Sequence, residues 1–271
     1  MVLYNYANQF AGRLSMTASS RPFTRWQASG IHLLISAAIA AVSLFLTLKV
    51  WYPSPLFTAE GGNDILLILI GVDVVIGPLV TLVVFKSGKP GMRFDLTVIA
   101  VLQAAALLYG THVMFVARPV YIALVDDQFE TVRANDIDPA GFAQARRPEF
   151  HSAPLTGPQY IAIDLPKDIK ALRELISQAG TGGSLAQHLP QYYVPYAEYK
   201  KQALAKSQPL EDLRKADKTV ASRIDKIVAD TGRKPAALNF LRLQTRRGWG
   251  AVLIDAKTGD IVTLLPPGVL F

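Results

Sequence analysis

An aspartate inside an apolar run is the side chain of this sequence best placed to do chemistry. Asp73 lies within GVDVVIGPLVTL, part of the second of three long apolar runs. An ionisable group in hydrocarbon costs a few kcal/mol and normally faces other protein groups or water. Counted along its helix, Asp73 is expected near the depth of Ser43 and residues 109–112, with His32 about 13 Å deeper. We interpret Asp73 as a structural contact between helices, neutral or hydrogen-bonded; contact with another membrane helix, and catalysis or proton relay, are the alternatives.

Two further features belong to the same apolar region. Pro78 lacks a backbone N–H, so Gly77-Pro78 is expected to bend the helix and to open a groove. Alanines within 37–41 and 104–106 allow close helix approach in a bilayer, either inside the bundle or around a foreign helix. The candidate helix-packing or partner contacts are Asp73, Gly77, Pro78, His32, His112 and Tyr109.

The remaining reactive side chains form no catalytic or metal-binding pattern. The chain has no cysteine, and the later histidines, His151 and His188, match no metal-ligand spacing. The Gly-rich stretch 180–183 lacks the Lys and Ser or Thr of a phosphate-binding loop. An intramembrane aspartyl protease needs a second buried aspartate, whereas Asp95 lies at the boundary of a run. We therefore expect a protein that is not an enzyme, with no cofactor, metal or small-molecule substrate.

The elements that hold Asp73 are apolar runs in the first half of the chain. Of all residues 51% are hydrophobic and only 18% are charged, which is too apolar for an ordinary soluble domain. Runs at 31–50, 65–85 and 96–117 are each long enough to cross a bilayer as a helix. A cleaved signal peptide is the alternative for the first run, but two more spans follow it.

Basic residues near the ends of these runs predict the orientation. Arg13, Arg21 and Arg25 precede the first run, and the loop between the second and third runs is also basic, which marks both as cytoplasmic. An odd number of spans then places the rest of the chain in the periplasm of a Gram-negative cell. We expect a multi-pass protein of the bacterial inner membrane with three parts: a cytoplasmic tail at 1–30, a transmembrane region at 31–117 and a periplasmic domain at 118–271.

The C-terminal part is predicted to combine helices and strands. Apolar residues at 120–125 and 129–133 flank Asp126-Asp127-Gln128 and predict a β-hairpin. Apolar residues at helical spacing predict helices at about 166–178 and 210–230. Further strands are predicted at 159–165, 239–245, 250–254 and 261–265. The predicted fold class is an α-helical membrane protein with three transmembrane helices, followed by a mixed α/β (α+β) periplasmic domain.

Three groups of side chains are candidates for contact with lipid or protein. Trp51, Tyr52 and Tyr121 lie where aromatic residues meet a membrane interface. The arginines within 242–247 meet an acidic partner or lipid headgroups, or are solvated. The tyrosines within 192–199 form a binding face or pack internally. No segment is a dense basic patch, so the net charge of +7 does not indicate nucleic acid as a partner.

Four segments resemble a known family: FTRWQASGIH at 23–32, GVDVVIGPLVTL at 71–82, RFDL at 93–96, and 109–121 from Tyr-Gly to Arg-Pro-Val-Tyr. On these segments the chain resembles the TfpX/TfpZ family of type IV pilin accessory proteins, over roughly residues 20–265 and most closely in the three helices. The resemblance places the start nearer Met16 than Met1.

The resemblance also implies a function. Members of this family are non-enzymatic, pilin-specific helpers of the inner membrane, and they modulate assembly and surface display of the major pilin. It implies that the helices or the outer domain bind pilin, which has one hydrophobic helix beneath a periplasmic head. Two alternatives remain at this point: a membrane-anchored periplasmic ligand sensor, and an intramembrane hydrolase centred on Asp73.

Overall fold

The computed structural model describes residues 23–180, 185–216 and 218–268. Most of the predicted tail, the choice between the two starts, and residues 181–183 of the Gly-rich stretch lie outside this part of the chain. Three helices are long and apolar enough to cross a membrane, and each is longer than its predicted run. They are α1 (Arg25–Trp51), α3 (Gly62–Val84) and α4 (Met92–Val116); a short α2 (Leu56–Ala59) lies between the first two.

A capping box explains why α1 begins earlier than its apolar run. The Thr24 hydroxyl accepts a hydrogen bond from the Gln27 N–H at 3.2 Å, and the Gln27 side chain accepts one from the Thr24 N–H at 3.0 Å. Such reciprocal bonds satisfy two N–H groups that the first turn leaves without partners. The helix therefore begins in a polar segment that precedes the apolar run at 31–50, and the apolar pattern alone does not predict this start.

The middle of α3 is widened into a π-helical turn. This turn spans Gly71–Ile76 and ends where the Gly77 N–H donates to the carbonyl of Val72, five residues earlier. Pro78 follows at once and has no N–H to donate, so the ordinary helical bond is lost there in any case. A π turn adds a residue to one turn and changes the directions of its side chains. Asp73 lies inside this turn.

The C-terminal half contains a mixed sheet. In the described residues its order is β4-β3-β1-β2-β6-β7-β8, with β5 paired to the start of β6. The pairs β1/β3 and β2/β6 are parallel, and the remaining neighbours are antiparallel. The strands are β1 (Pro119–Val125), β2 (Gln128–Arg133), β3 (Gln159–Ile163), β4 (Tyr193–Pro195), β5 (Gln208–Pro209), β6 (Leu238–Thr245), β7 (Gly248–Asp255) and β8 (Ile261–Leu265).

The predicted hairpin is confirmed as β1 and β2, and so are the four other predicted strands, with small changes of bounds. Four helices accompany the sheet: α5 (Ile169–Gly180), α6 (Lys200–Lys206), α7 (Leu210–Ala216) and α8 (Lys218–Ala229). The residues of the predicted helix at 210–230 are helical in α7 and α8, and residue 217 between them lies outside the described residues. Helix α6 was not predicted. Helix α5 begins later than predicted because Asp168 caps it, accepting from the Ala171 N–H at 2.9 Å. Three apolar helices followed by a mixed α/β domain confirm that part of the predicted fold.

Both faces of the sheet are covered. Along β7, Val252 and Ile254 pack on one face, together with Tyr196 and α6. Ala251 and Leu253 pack on the other face, against α7 and α8. Because both faces are buried, these strands are apolar at nearly every position, as strands covered on both sides usually are.

Two aromatic residues that were predicted to contact lipid are instead buried in protein. Tyr121 is fully buried and packs edge-on against Tyr193, with ring centroids 5.1 Å apart. Tyr52 is also buried, and its hydroxyl donates to the Met114 carbonyl at 2.9 Å. The prediction of lipid contact is wrong for Tyr121 because α4 leads directly into strand β1, and it is wrong for Tyr52 because this residue packs with Phe57 and Met114. Internal packing also accounts for Tyr193 and Tyr196 of the tyrosine-rich segment.

The connection between α1 and α3 is built into the C-terminal domain. Leu56 of α2 is buried in the same apolar cluster as Ile122 and Leu241 of the sheet. The Arg247 N–H donates to the Ala59 carbonyl at 3.0 Å, and the Arg247 side chain forms an ion pair with Asp64 at the start of α3. This connection, residues 52–61, is called the docked loop below. It holds α1 and α3 against the sheet.

A buried carboxylate completes this junction. Glu60 is 5% exposed, and its Oε1 accepts a hydrogen bond from the Thr131 hydroxyl at 2.7 Å. A backbone bond from Arg246 and the charge of Arg133 favour the ionised form, but burial outweighs them and raises the pKa of Glu60 above its ordinary value. The carboxyl group therefore ties the docked loop to strand β2.

Candidate functional site

Asp73 lies at the base of a groove between the three apolar helices. Its side chain is buried, at 7% exposure. It lines one cavity together with His32, Ser36 and Ala40 of α1 and Gln103 of α4.

Polar contacts between α1 and α3 fix one side of this site. The Ser29 hydroxyl donates to the Pro78 carbonyl at 2.9 Å. His32 Nδ1 and the Thr81 hydroxyl are 2.6 Å apart. Hydrogen bonds across helices stabilise such pairs by about 0.6 kcal/mol on average. Pro78 and His32 are thus helix-packing residues.

A glycine allows α3 and α4 to approach on the other side. A Cβ atom on Gly77 would lie 1.9 Å from Nε2 of Gln103, well inside contact distance. With glycine there, the Gln103 side chain lies across α3, and its Nε2 donates to the Asp73 carbonyl at 3.3 Å. Gly77 is therefore also a helix-packing residue.

The walls of the groove are regular helical stripes. His32, Ile35, Ser36, Ile39 and Ala40 line it from α1, at the spacing of one helix face. The stripe from α4 has the same spacing and contains Ala100, Gln103, Ala104 and Leu107. The cavity between them has a volume of about 180 Å³.

The rim of this groove is exposed and apolar, while its base is buried and polar. Ile35 is 56% exposed and Ile39 is 43% exposed on the α1 side. Ala100 and Ala104 are exposed on the α4 side, and small residues there leave room for another backbone. Such a groove is complementary to a helix that presents a row of apolar side chains with one polar group in the middle of the row.

The predicted depth of Asp73 is wrong. The structure places it beside His32, Ser36 and Gln103, not at the level of Ser43 and the end of α4. The helices extend beyond their predicted runs, so counts from the run ends were misplaced. Hydrogen-bonded structural contact also finds no support, because both carboxylate oxygens of Asp73 lack a hydrogen-bond partner within the described residues.

Tyr109 and His112 lie elsewhere on α4. They follow Gln103 by six and nine residues and do not line the cavity. Both are exposed, Tyr109 at 72%. Neither packs into the described bundle, and contact of either with a partner stays a prediction.

Sequence reasoning missed Gln103, Ser29 and Thr81. Each is a polar residue in an apolar helix, which was the available signal, since such residues normally face protein in a bilayer. Asp95 does not join Asp73; it pairs with Lys89 at 2.6 Å. Across the part of the chain that the structure describes, no group of three or more His, Asp or Glu side chains is placed to hold a metal ion.

Comparison with known proteins relates this chain to fimbrial assembly proteins. The model of the family "Fimbrial assembly protein FimB" matches residues 20–61, which include α1 and the docked loop. The chain is 30% identical over 248 residues to the fimbrial assembly protein, serogroup I, of Dichelobacter nodosus, covering 87% of this chain and 92% of that protein. The serogroup E1 protein gives the same identity and coverage.

A shorter fimbrial assembly protein matches part of this chain. The fimbrial assembly protein of serogroups C1 and C2 of the same organism is 32% identical over 111 residues, covering 40% of this chain and 85% of that protein. No solved structure gives a significant match.

Proposed function

Because the chain belongs to the fimbrial assembly protein family, we propose that it is a non-enzymatic membrane accessory factor that binds the major fimbrial subunit during assembly. The resemblance to TfpX/TfpZ proteins makes that subunit a type IV pilin. In this proposal the protein lies in the bacterial inner membrane, with its N-terminus in the cytoplasm and its sheet domain in the periplasm. A role in fimbrial assembly is what the names of the relatives state.

The groove is the observation that carries the proposal. Three helices are apolar enough to cross a membrane, so the exposed isoleucines of the rim would face lipid or another helix. A groove two turns long, lined by two helical stripes, is a surface on which one apolar helix could lie. Its buried carboxylate is costly in lipid and is better accounted for by a partner than by lipid tails. The hydrophobic helix of the fimbrial subunit is the occupant we propose.

Site-specific photocrosslinking in cells tests this proposal. A photoreactive residue replaces Ile39 on the rim of the groove, and a second variant carries it at Leu108, an exposed position of α4 outside the groove. We expect adducts with the fimbrial subunit from position 39 at a yield at least about tenfold above position 108, which corresponds to about 1.4 kcal/mol of preferential contact.

The same experiment can contradict the proposal. Cells must assemble surface fimbriae with either variant, so that the protein is folded and active when it is irradiated. If position 39 then gives no adduct with the subunit, the subunit does not occupy the groove.

A further inference from the structure

Among the described residues, three buried oxygen atoms at the groove have no hydrogen-bond donor. They are both carboxylate oxygens of Asp73 and Oε1 of Gln103. All three belong to side chains that line the same cavity. Buried acceptors are nearly always paired in folded proteins, so three together at one site call for an explanation.

Two of the nitrogen atoms that line the groove are engaged elsewhere. Gln103 Nε2 donates to the backbone carbonyl of Asp73. His32 Nδ1 is bonded to the Thr81 hydroxyl. The Ser36 hydroxyl and His32 also line the groove, but no hydrogen bond from either reaches the three oxygens. Within the described residues these oxygens therefore lack a donor, and a complementary occupant would supply one.

We infer that the partner helix in the groove carries a hydrogen-bond donor at the level of Asp73, and that Asp73 accepts from it. A hydroxyl, an amide or a protonated amine meets this requirement. The inference rests on the proposed function and adds to it the chemistry that recognises the helix. A purely apolar helix would fill the rim but would leave all three oxygens unpaired.

The position of Asp73 places this contact at the centre of the groove. The α1 stripe runs eight residues from His32 to Ala40, about 12 Å along the axis. Asp73 lines the same cavity as Ser36, which is in the middle of that stripe. The partner's donor would therefore have apolar contacts on both sides, where water is excluded and a hydrogen bond gains strength.

Two substitutions at Asp73 test the inference through the adduct yield from position 39. Asp73→Leu removes both acceptors, and we expect the yield to fall at least about tenfold. Asp73→Asn keeps the shape of the side chain and one acceptor oxygen. If the partner's donor is neutral, this variant should retain more adduct than Asp73→Leu. If the donor is a protonated amine, Asp73→Asn should lose as much as Asp73→Leu. Asp95→Asn is the matched control. Asp95 lies near the start of α4, away from Asp73, and its substitution should leave the yield unchanged.

Thermal unfolding in detergent separates recognition from a structural role. Because Asp73 makes no side-chain hydrogen bond within the described residues, neither variant should unfold at a lower temperature than the parent protein. An unchanged adduct yield in Asp73→Leu, at equal protein level, would overturn the inference and leave the proposed function standing. A clear loss of thermal stability in both variants would also overturn it. Absence of the adduct from the parent protein would instead contradict the proposed function.

Discussion

Leu56→Ala is expected to lower the free energy of unfolding of the C-terminal domain by about 2–5 kcal/mol, the range for truncating a buried leucine. Leu56 is 1% exposed and packs against the sheet from a loop between two apolar helices. Truncation leaves a cavity where the docked loop meets the sheet. Pulse proteolysis of the full-length protein in detergent, over a denaturant series, measures the change.

Leu155→Ala is the matched control for this prediction. Leu155 is 71% exposed in the same domain, so its truncation should change the free energy of unfolding by less than about 0.5 kcal/mol. Equal effects of the two substitutions would mean that the docked loop is not part of the domain core.

Gly77→Leu is the second substitution with a large expected effect. A Cβ atom alone would lie 1.9 Å from the Gln103 side-chain amide and would displace it, and the rest of a leucine would then occupy the space between α3 and α4. Overpacking of this kind costs about 1–3 kcal/mol. We expect a lower unfolding temperature in detergent and at least about a tenfold loss of subunit adducts from position 39, since the groove changes shape.

The same substitution at Gly71 is the control. Gly71 lies in the adjoining π turn, and among the described residues no atom outside its own helical turn lies within 4 Å of the position its Cβ would take. Gly71→Leu should therefore leave the unfolding temperature unchanged or raise it. For the milder Gly77→Ala, removing the obstructing side chain with Gln103→Ala should restore stability. Equal losses from the Gly71 and Gly77 variants would show that close helix approach at Gly77 is unimportant.

Local patterns predicted much of this fold. Long apolar runs identified the three long helices, because a membrane span needs about 20 predominantly apolar residues. The hairpin at Asp126-Asp127 followed from turn residues between two apolar strands, and Asp126 does adopt a left-handed conformation, at φ +51°. Such features depend on neighbours in sequence.

Features that depend on distant contacts could not be predicted. Residues 52–61 contain two prolines and one glycine, which indicated only a joint between helices. Nothing local shows that Leu56 reaches the sheet or that Glu60 meets Thr131, 71 residues away. The prediction that Tyr121 contacts lipid failed for the same reason, because its place after the end of an apolar helix resembles a position at a membrane interface.

The candidate site was predicted in part. Asp73, Gly77, Pro78 and His32 were singled out because polar or helix-bending residues are unusual in a membrane span, and all four lie where α1 and α3 meet. Gln103 was missed, although it carries the same signal. The depth of Asp73 was misjudged because small errors at helix ends displace every position counted from them.

Cysteine pairing tests most directly whether the groove holds the helix of the fimbrial subunit. The chain has no cysteine, so one that replaces Ile39 is unique. It is combined with single cysteines at successive positions of the subunit's apolar helix, and cells are mildly oxidised. We expect disulfides at subunit positions three or four residues apart, on one helix face, and few from a cysteine at Leu108. Equal yields from positions 39 and 108, or no disulfide from position 39 in cells that assemble fimbriae, would contradict the proposed binding.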